Sequence, residues 1–176
     1  QNLKDKYQVL LTRSDDSDLP LADRTALANH HKALLFISIH LAGAFRSDIK
    51  GSIIMYYSPF QSEKNDVYTD MSELSTNHDM PSGQWKNNQL NHIPASRRMA
   101  ERLRLELKQS SSAISPSVNN AEIYVLSGAT MPALYLEPFY LTHPDSERHF
   151  KKSENLERLA KDMALGIEAT LKNEGL

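Results

Sequence analysis

Two short apolar runs, each ending in one polar side chain, constrain the fold of this chain more than any other feature. Residues 33–39 (Ala-Leu-Leu-Phe-Ile-Ser-Ile) are almost unbroken in hydrophobicity and stop at His40; residues 133–136 (Ala-Leu-Tyr-Leu) stop at Glu137. Continuous rather than alternating apolar character suits a strand covered on both faces, as in a parallel sheet sandwiched by helices. Residues 51–57 and 122–126 are further strand candidates. Residues 7–13 read as a short buried strand, with the Asp/Ser cluster at 14–18 as its turn.

Helices alternate with these runs. Pro20, suited to a first helical turn, opens one through Leu21, Ala22, Thr25, Leu27 and Ala28, and residues 29–32 close it. Residues 96–109 carry Met99, Leu103 and Leu107 at steps of four. Residues 154–171 carry a core-facing stripe from Leu156 and Leu159 to Ile167 and Leu171, with Ser153 as the expected N-cap. Alternation without an internal repeat predicts an α/β three-layer sandwich: a mostly parallel central sheet with helices on both faces. At 176 residues the chain fits one domain, and a core of that size buries roughly 70% of the surface exposed by the unfolded chain. Residues 58–95 are polar and weakly periodic. They are too many for an ordinary connection, which predicts an insertion or lid within the domain.

Composition removes several classes of function. A formal net charge of -2 argues against nucleic acid or an anionic membrane as the main partner. The absence of cysteine excludes disulfides, thiolate nucleophiles and Cys-ligated metals. No apolar run reaches the ~18 residues of a membrane span. The chain begins at Gln1 with neither an initiator Met nor a signal-peptide pattern, so any export signal is expected upstream.

His40 and Glu137 are the candidate site residues. The carboxyl end of a buried strand opens into the crevice where α/β sheets bind ligands. A histidine there is rigid at its base and free at its tip, as a metal ligand or general base must be. The competing reading is a ring satisfied by a carbonyl at the sheet edge. A carboxylate at such a position is paired, metal-linked or solvated in a cleft, since burying it alone costs several kcal/mol. Its competing reading is a structural pair with an arginine. His30, His31, His78, His92, His143 and His149 sit at a helix end or in polar segments and read as solvated. No His-Glu-x-x-His, nucleophile-elbow or phosphate-loop motif is present.

The order of the segments adds a resemblance. Val9-Leu10-Leu11-Thr12-Arg13, then Leu21-Ala22-Asp23-Arg24 through Ala28-Asn29, then Phe36-Ile37-Ser38-Ile39-His40 resemble successive landmarks of the zinc-dependent N-acetylmuramoyl-L-alanine amidases. Those landmarks are "V-x-L-T-R", "L-x-x-R-x-x-x-A-N" and "F-x-S-I-H". Pro132-Ala133-Leu134-Tyr135-Leu136-Glu137 is similar to the family's "P-A-V-L-V-E", and residues 142–147 to its "S-N-x-x-E" turn. The resemblance implies a peptidoglycan hydrolase that cuts the amide between N-acetylmuramic acid and L-alanine of the stem peptide, using a zinc-activated water. It implies His40 as one Zn2+ ligand and Glu137 as the general base.

The family's "D-P-G-H-G" strand and a following glutamate, which carry the other two ligands, are expected upstream of Gln1. The biological protein is accordingly expected to extend there. Pro138 stands where the family has a small residue. Residues 58–95 fall where division-associated amidases carry a regulatory segment, which makes an activator protein an expected partner there, with Glu63 or Glu73 available to cover the site. The implied setting is the cell envelope, periplasmic or secreted. A catalytically inactive wall-binding or regulatory domain of the same fold is the alternative reading, and a generic α/β domain is a third.

Overall fold

The two runs that end in His40 and Glu137 become neighbouring parallel strands, β1 (Phe36–Ile39) and β4 (Ala133–Glu137), with Ile39 opposite Leu136. The computed structural model describes Leu3 and residues 6–59, 85–110 and 114–175. Before β1 lies α1 (Leu21–His30), and after it β2 (Ser52–Tyr57), a 3-10 helix (Trp85–His92), α2 (Ile93–Ser110), β3 (Pro116–Ala121) and the single turn α3 (Tyr124–Ser127). Beyond β4 come α4 (Pro144–Phe150) and α5 (Ser153–Asn173). The sheet order is β1-β4-β2-β3, in which β1–β4 and β2–β3 are parallel and β2–β4 antiparallel.

Side chains alternate across the sheet and so build two cores. On one face Ile54, Leu134 and Leu136 pack with Met99, Leu103 and Leu107 of α2 and with Leu159, Met163 and Leu171 of α5. On the other Phe36, Met55, Ala133 and Tyr135 pack with Ala28 of α1 and with Val125 and Leu126 of α3. Helices therefore cover both faces, as expected. Each fully buried aliphatic side chain contributes about 1.5–3 kcal/mol, so the α2/α5 stripe outweighs any exposed ion pair at ~0–1 kcal/mol. Gly166 lets these two helices approach, since a Cβ there would come within 3.0 Å of Leu107 Cδ2.

Four local expectations are corrected. Residues 7–13 form no strand: Val9, Leu10 and Leu11 are exposed, and no described strand pairs with them. An extended segment without a ladder is not a strand. The turn after it is present, with Ser17 N–H donating to Asp15 Oδ1 at 2.9 Å. Residues 122–126 are not a strand either; Ile123, Val125 and Leu126 are buried around the turn of α3. A short apolar run is equally compatible with a buried helical turn. The strand at this place is β3, Pro-Ser-Val-Asn-Asn-Ala, whose polarity suits a sheet edge and whose proline sits at its first residue. Ser153 lies inside α5, while Lys152 holds the cap position with no side-chain cap bond. His143 is not simply solvated: its Nδ1 accepts from the Ser146 N–H at 3.3 Å and caps α4, next to Pro144.

Most of the expected insertion, residues 60–84, lies outside the described residues, and with it Glu63, Glu73 and His78. Its last part is regular helix, fixed by Gln89. That side chain is fully buried; its Nε2 donates to the carbonyls of Ala129 at 2.8 Å and Met131 at 2.7 Å, and its Oε1 accepts from Ser96 Oγ. Ser96 Oγ in turn accepts from Ala133 N–H at the start of β4. Removing the amide strands buried carbonyls that no water reaches. Gln89→Ala should therefore lose about 1–3 kcal/mol of stability or more in urea unfolding, and a loss below ~0.5 kcal/mol would contradict this anchoring.

Candidate active site

His40 is placed by the sheet ladder. Its N–H donates to Leu136 O at 2.9 Å, continuing the β1–β4 register by one step, which sets His40 opposite Glu137. In a parallel ladder the next donor would be the N–H of residue 138, aimed at the His40 carbonyl. Pro138 has none. Pairing resumes beyond it, where Ala42 N–H donates to Phe139 O at 3.0 Å and Leu141 N–H to Ala42 O at 2.8 Å. Ala44 N–H also donates to Thr142 Oγ1 at 3.0 Å. The ladder is thus interrupted at the two candidate residues and held on either side of them.

By the two-residue period of a strand, Ser38 shares a face with His40, and Tyr135 with Glu137. The four side chains form a continuous row. Ser38 Oγ lies 2.8 Å from His40 Nε2, a hydrogen bond. The His40 ring stacks on Tyr135, with centroids 4.6 Å apart and planes 18° from parallel. The Tyr135 hydroxyl donates to Glu137 Oε1 at 3.0 Å. Ser38 and Tyr135 are buried, while His40 and Glu137 are half-buried. Sequence reasoning singled out His40 and Glu137 and missed Ser38 and Tyr135. The alternation that put Tyr135 beside Glu137 was available as a signal.

Burial shifts the pKa values of His40 and Glu137 in opposite senses. Desolvation lowers the His40 pKa, and the guanidinium groups of Arg24 and Arg13 lower it further. Arg24, in the first turns of α1, is itself held by a bond from its Nε to Leu19 O, and Arg13 by one to Ser17 O. The ring is therefore neutral at neutral pH, the form a metal ligand needs. Among the described residues its Nδ1 has no hydrogen-bond partner. Burial raises the Glu137 pKa, and the bond from Tyr135 offsets part of that rise. Burial first, and then the neighbouring carboxylate, raises the Tyr135 pKa, so the phenol stays protonated. Among the described residues no group of three or more His, Cys, Asp or Glu side chains could hold a metal ion. Among the described residues the other histidines do not join the row; His30 and His31 stack edge-on against each other at 5.1 Å.

The raised Glu137 pKa has a consequence for stability. A carboxyl group that binds its proton more tightly when folded destabilises the fold once pH exceeds its ordinary value, and costs nothing below it. In metal-free protein, Glu137→Gln should therefore stabilise the fold at about pH 8 and have little effect near pH 4. Equal effects at the two pH values in urea titrations would contradict the burial of this carboxylate.

Comparisons with known proteins concern the chain as a whole. A family model described as N-acetylmuramoyl-L-alanine amidase matches residues 1–169. The chain is 24% identical over 170 residues to the N-acetylmuramoyl-L-alanine amidase AmiA of Escherichia coli, covering 89% of this chain. It spans 58% of that relative's length. Among solved structures it resembles the amidase AmiC2 of Nostoc punctiforme, with a TM-score of 0.69 and 23% identity over 94% of this chain and 73% of that one. The catalytic domain of CwlV from Bacillus (Paenibacillus) polymyxa is similar at a TM-score of 0.68 and 24% identity, with the same 94% and 73% coverage. These structural likenesses concern the fold. The match to the family model extends over almost the whole sequence, and the chain belongs to the N-acetylmuramoyl-L-alanine amidase family.

Proposed function

We propose that the protein hydrolyses peptidoglycan at the amide joining the lactyl group of N-acetylmuramic acid to L-alanine of the stem peptide. Glu137 is the general base in this reading, and His40 is one ligand of a Zn2+ ion. One observation carries it: in a chain of this family, an imidazole and a carboxyl group meet opposite each other on one face of a sheet, at the carboxyl ends of two parallel strands.

The donor chemistry fits zinc as one corner of a site. His40 is neutral, fixed through one ring nitrogen by Ser38, and has its other nitrogen open. A full set of three protein ligands would draw its remaining donors from outside the described residues. Zinc, when bound, supplies Lewis acidity to the scissile carbonyl.

The rest of the chemistry falls to the chain. Glu137 Oε1 is engaged by Tyr135, which leaves its other oxygen for the reaction. That oxygen takes a proton from the attacking water as the new C–O bond forms. It then gives the proton to the departing amine as the C–N bond breaks, leaving a lactyl carboxylate and the free amino group of L-alanine. The raised pKa of Glu137 suits this two-way traffic, since a base that must also act as an acid works best near the operating pH. A peptidoglycan substrate sets the place of action in the cell envelope, periplasmic or secreted. No helix among the described residues is long and apolar enough to cross a membrane.

The test uses the full-length protein, zinc analysis and release of stem peptides from purified peptidoglycan. Glu137→Gln should keep its zinc and lose at least ~100-fold in turnover, and His40→Ala should lose zinc affinity. Full turnover in Glu137→Gln would sink the assigned role. Absence of both zinc and peptide release in the unaltered protein would favour a wall-binding module that kept the fold without the chemistry.

A further inference from the structure

Tyr135 is the side chain in the candidate site that touches both proposed functional groups. Its ring lies flat against the His40 imidazole, and its hydroxyl meets Glu137. Both contacts follow from its place in β4, two residues before Glu137 on the same face and one strand away from His40. The residue is 6% exposed, so its ring is locked by packing against the core of that face. A buried phenol needs a hydrogen-bond partner, and this one has found a carboxylate rather than a backbone carbonyl.

We propose that Tyr135 is a positioning residue for the amidase reaction: its hydroxyl pins one oxygen of Glu137, turning the other toward the substrate, while its ring braces the His40 imidazole. The inference rests on the roles given above to Glu137 and His40.

Among the described residues the phenol is the one hydrogen-bond donor to Glu137, so nothing else among them fixes the rotation of the carboxyl group. A half-buried carboxylate without that bond turns about its terminal torsion, whose energy wells are broad. Its basic oxygen then points at the substrate for only part of the time. Such a loss lowers the rate of the chemical step and leaves substrate binding alone. The ring contact is separable from the hydroxyl contact. Phenylalanine keeps the first and removes the second; leucine removes both.

Three variants of the zinc-loaded, full-length protein test this: Tyr135→Phe, Tyr135→Leu and Glu137→Gln. Tyr135→Phe should lower kcat about ten-fold, with KM and zinc affinity in chelator competition unchanged. A crystal structure of that variant should show the Glu137 carboxyl group rotated or in more than one orientation, with the ring still against His40. Tyr135→Leu should weaken zinc binding several-fold as well. Wild-type kcat in Tyr135→Phe would overturn the proposal. So would a kcat loss that merely tracks a fall in zinc content, which marks a packing role. Glu137→Gln separates the two levels: full activity there removes the base assignment itself, whereas impaired Glu137→Gln beside wild-type Tyr135→Phe overturns the tyrosine alone.

Discussion

The molecule turns on one pairing, the parallel ladder between β1 and β4. The register that puts Ile39 opposite Leu136 also puts His40 opposite Glu137. A slip of one residue would send one of those side chains to the other face. The register is held firmly because Leu134 and Leu136 are fully buried on the α2/α5 side and Ala133 on the other. Any slip would exchange apolar core for polar side chains. The hydrophobic pattern that folds the sheet is therefore also what aligns the site.

At the end of this ladder, Pro138 withholds the donor that would have continued it, and the strands are retied at Ala42 and Phe139. This leaves two half-buried polar groups at the carboxyl ends of paired strands. Withdrawing them from water has a cost that local bonds only partly offset, and the cost acts with opposite sign on each. The imidazole is kept neutral by burial and two nearby arginines, and the carboxyl group is pushed toward protonation by burial. Ser38 and Tyr135 supply the hydrogen bonds that make the arrangement tolerable.

Much of this was legible in the sequence, and the exceptions share a cause. The runs that became β1, β2 and β4 announce themselves by continuous apolar character, and α2 and α5 by stripes of matched period. Both signals come directly from burial on the two faces of the sheet. Strand β3 was not legible, because most of its side chains are exposed or half-buried and Ser117, Asn119 and Asn120 carry no strand signal. The residues of α3 were misread because three buried apolar side chains look the same in a strand as in one helical turn. Val9, Leu10 and Leu11 have the letters of a strand without a described partner to pair with. Pairing is a non-local property that local pattern does not carry. In the site, His40 and Glu137 were found because they stand out against apolar neighbours. Tyr135 was not, because an aromatic residue in a buried strand reads as core until its hydroxyl is seen to have a partner.

The central claim is that His40 and Glu137 serve one reaction centre. The most direct measurement is anomalous diffraction at the zinc edge from crystals of the full-length protein grown with zinc. A peak within bonding distance of the His40 ring, on the face that carries Tyr135 and Glu137, is the predicted result. An ion bound elsewhere, with His40 free of it, would contradict the account.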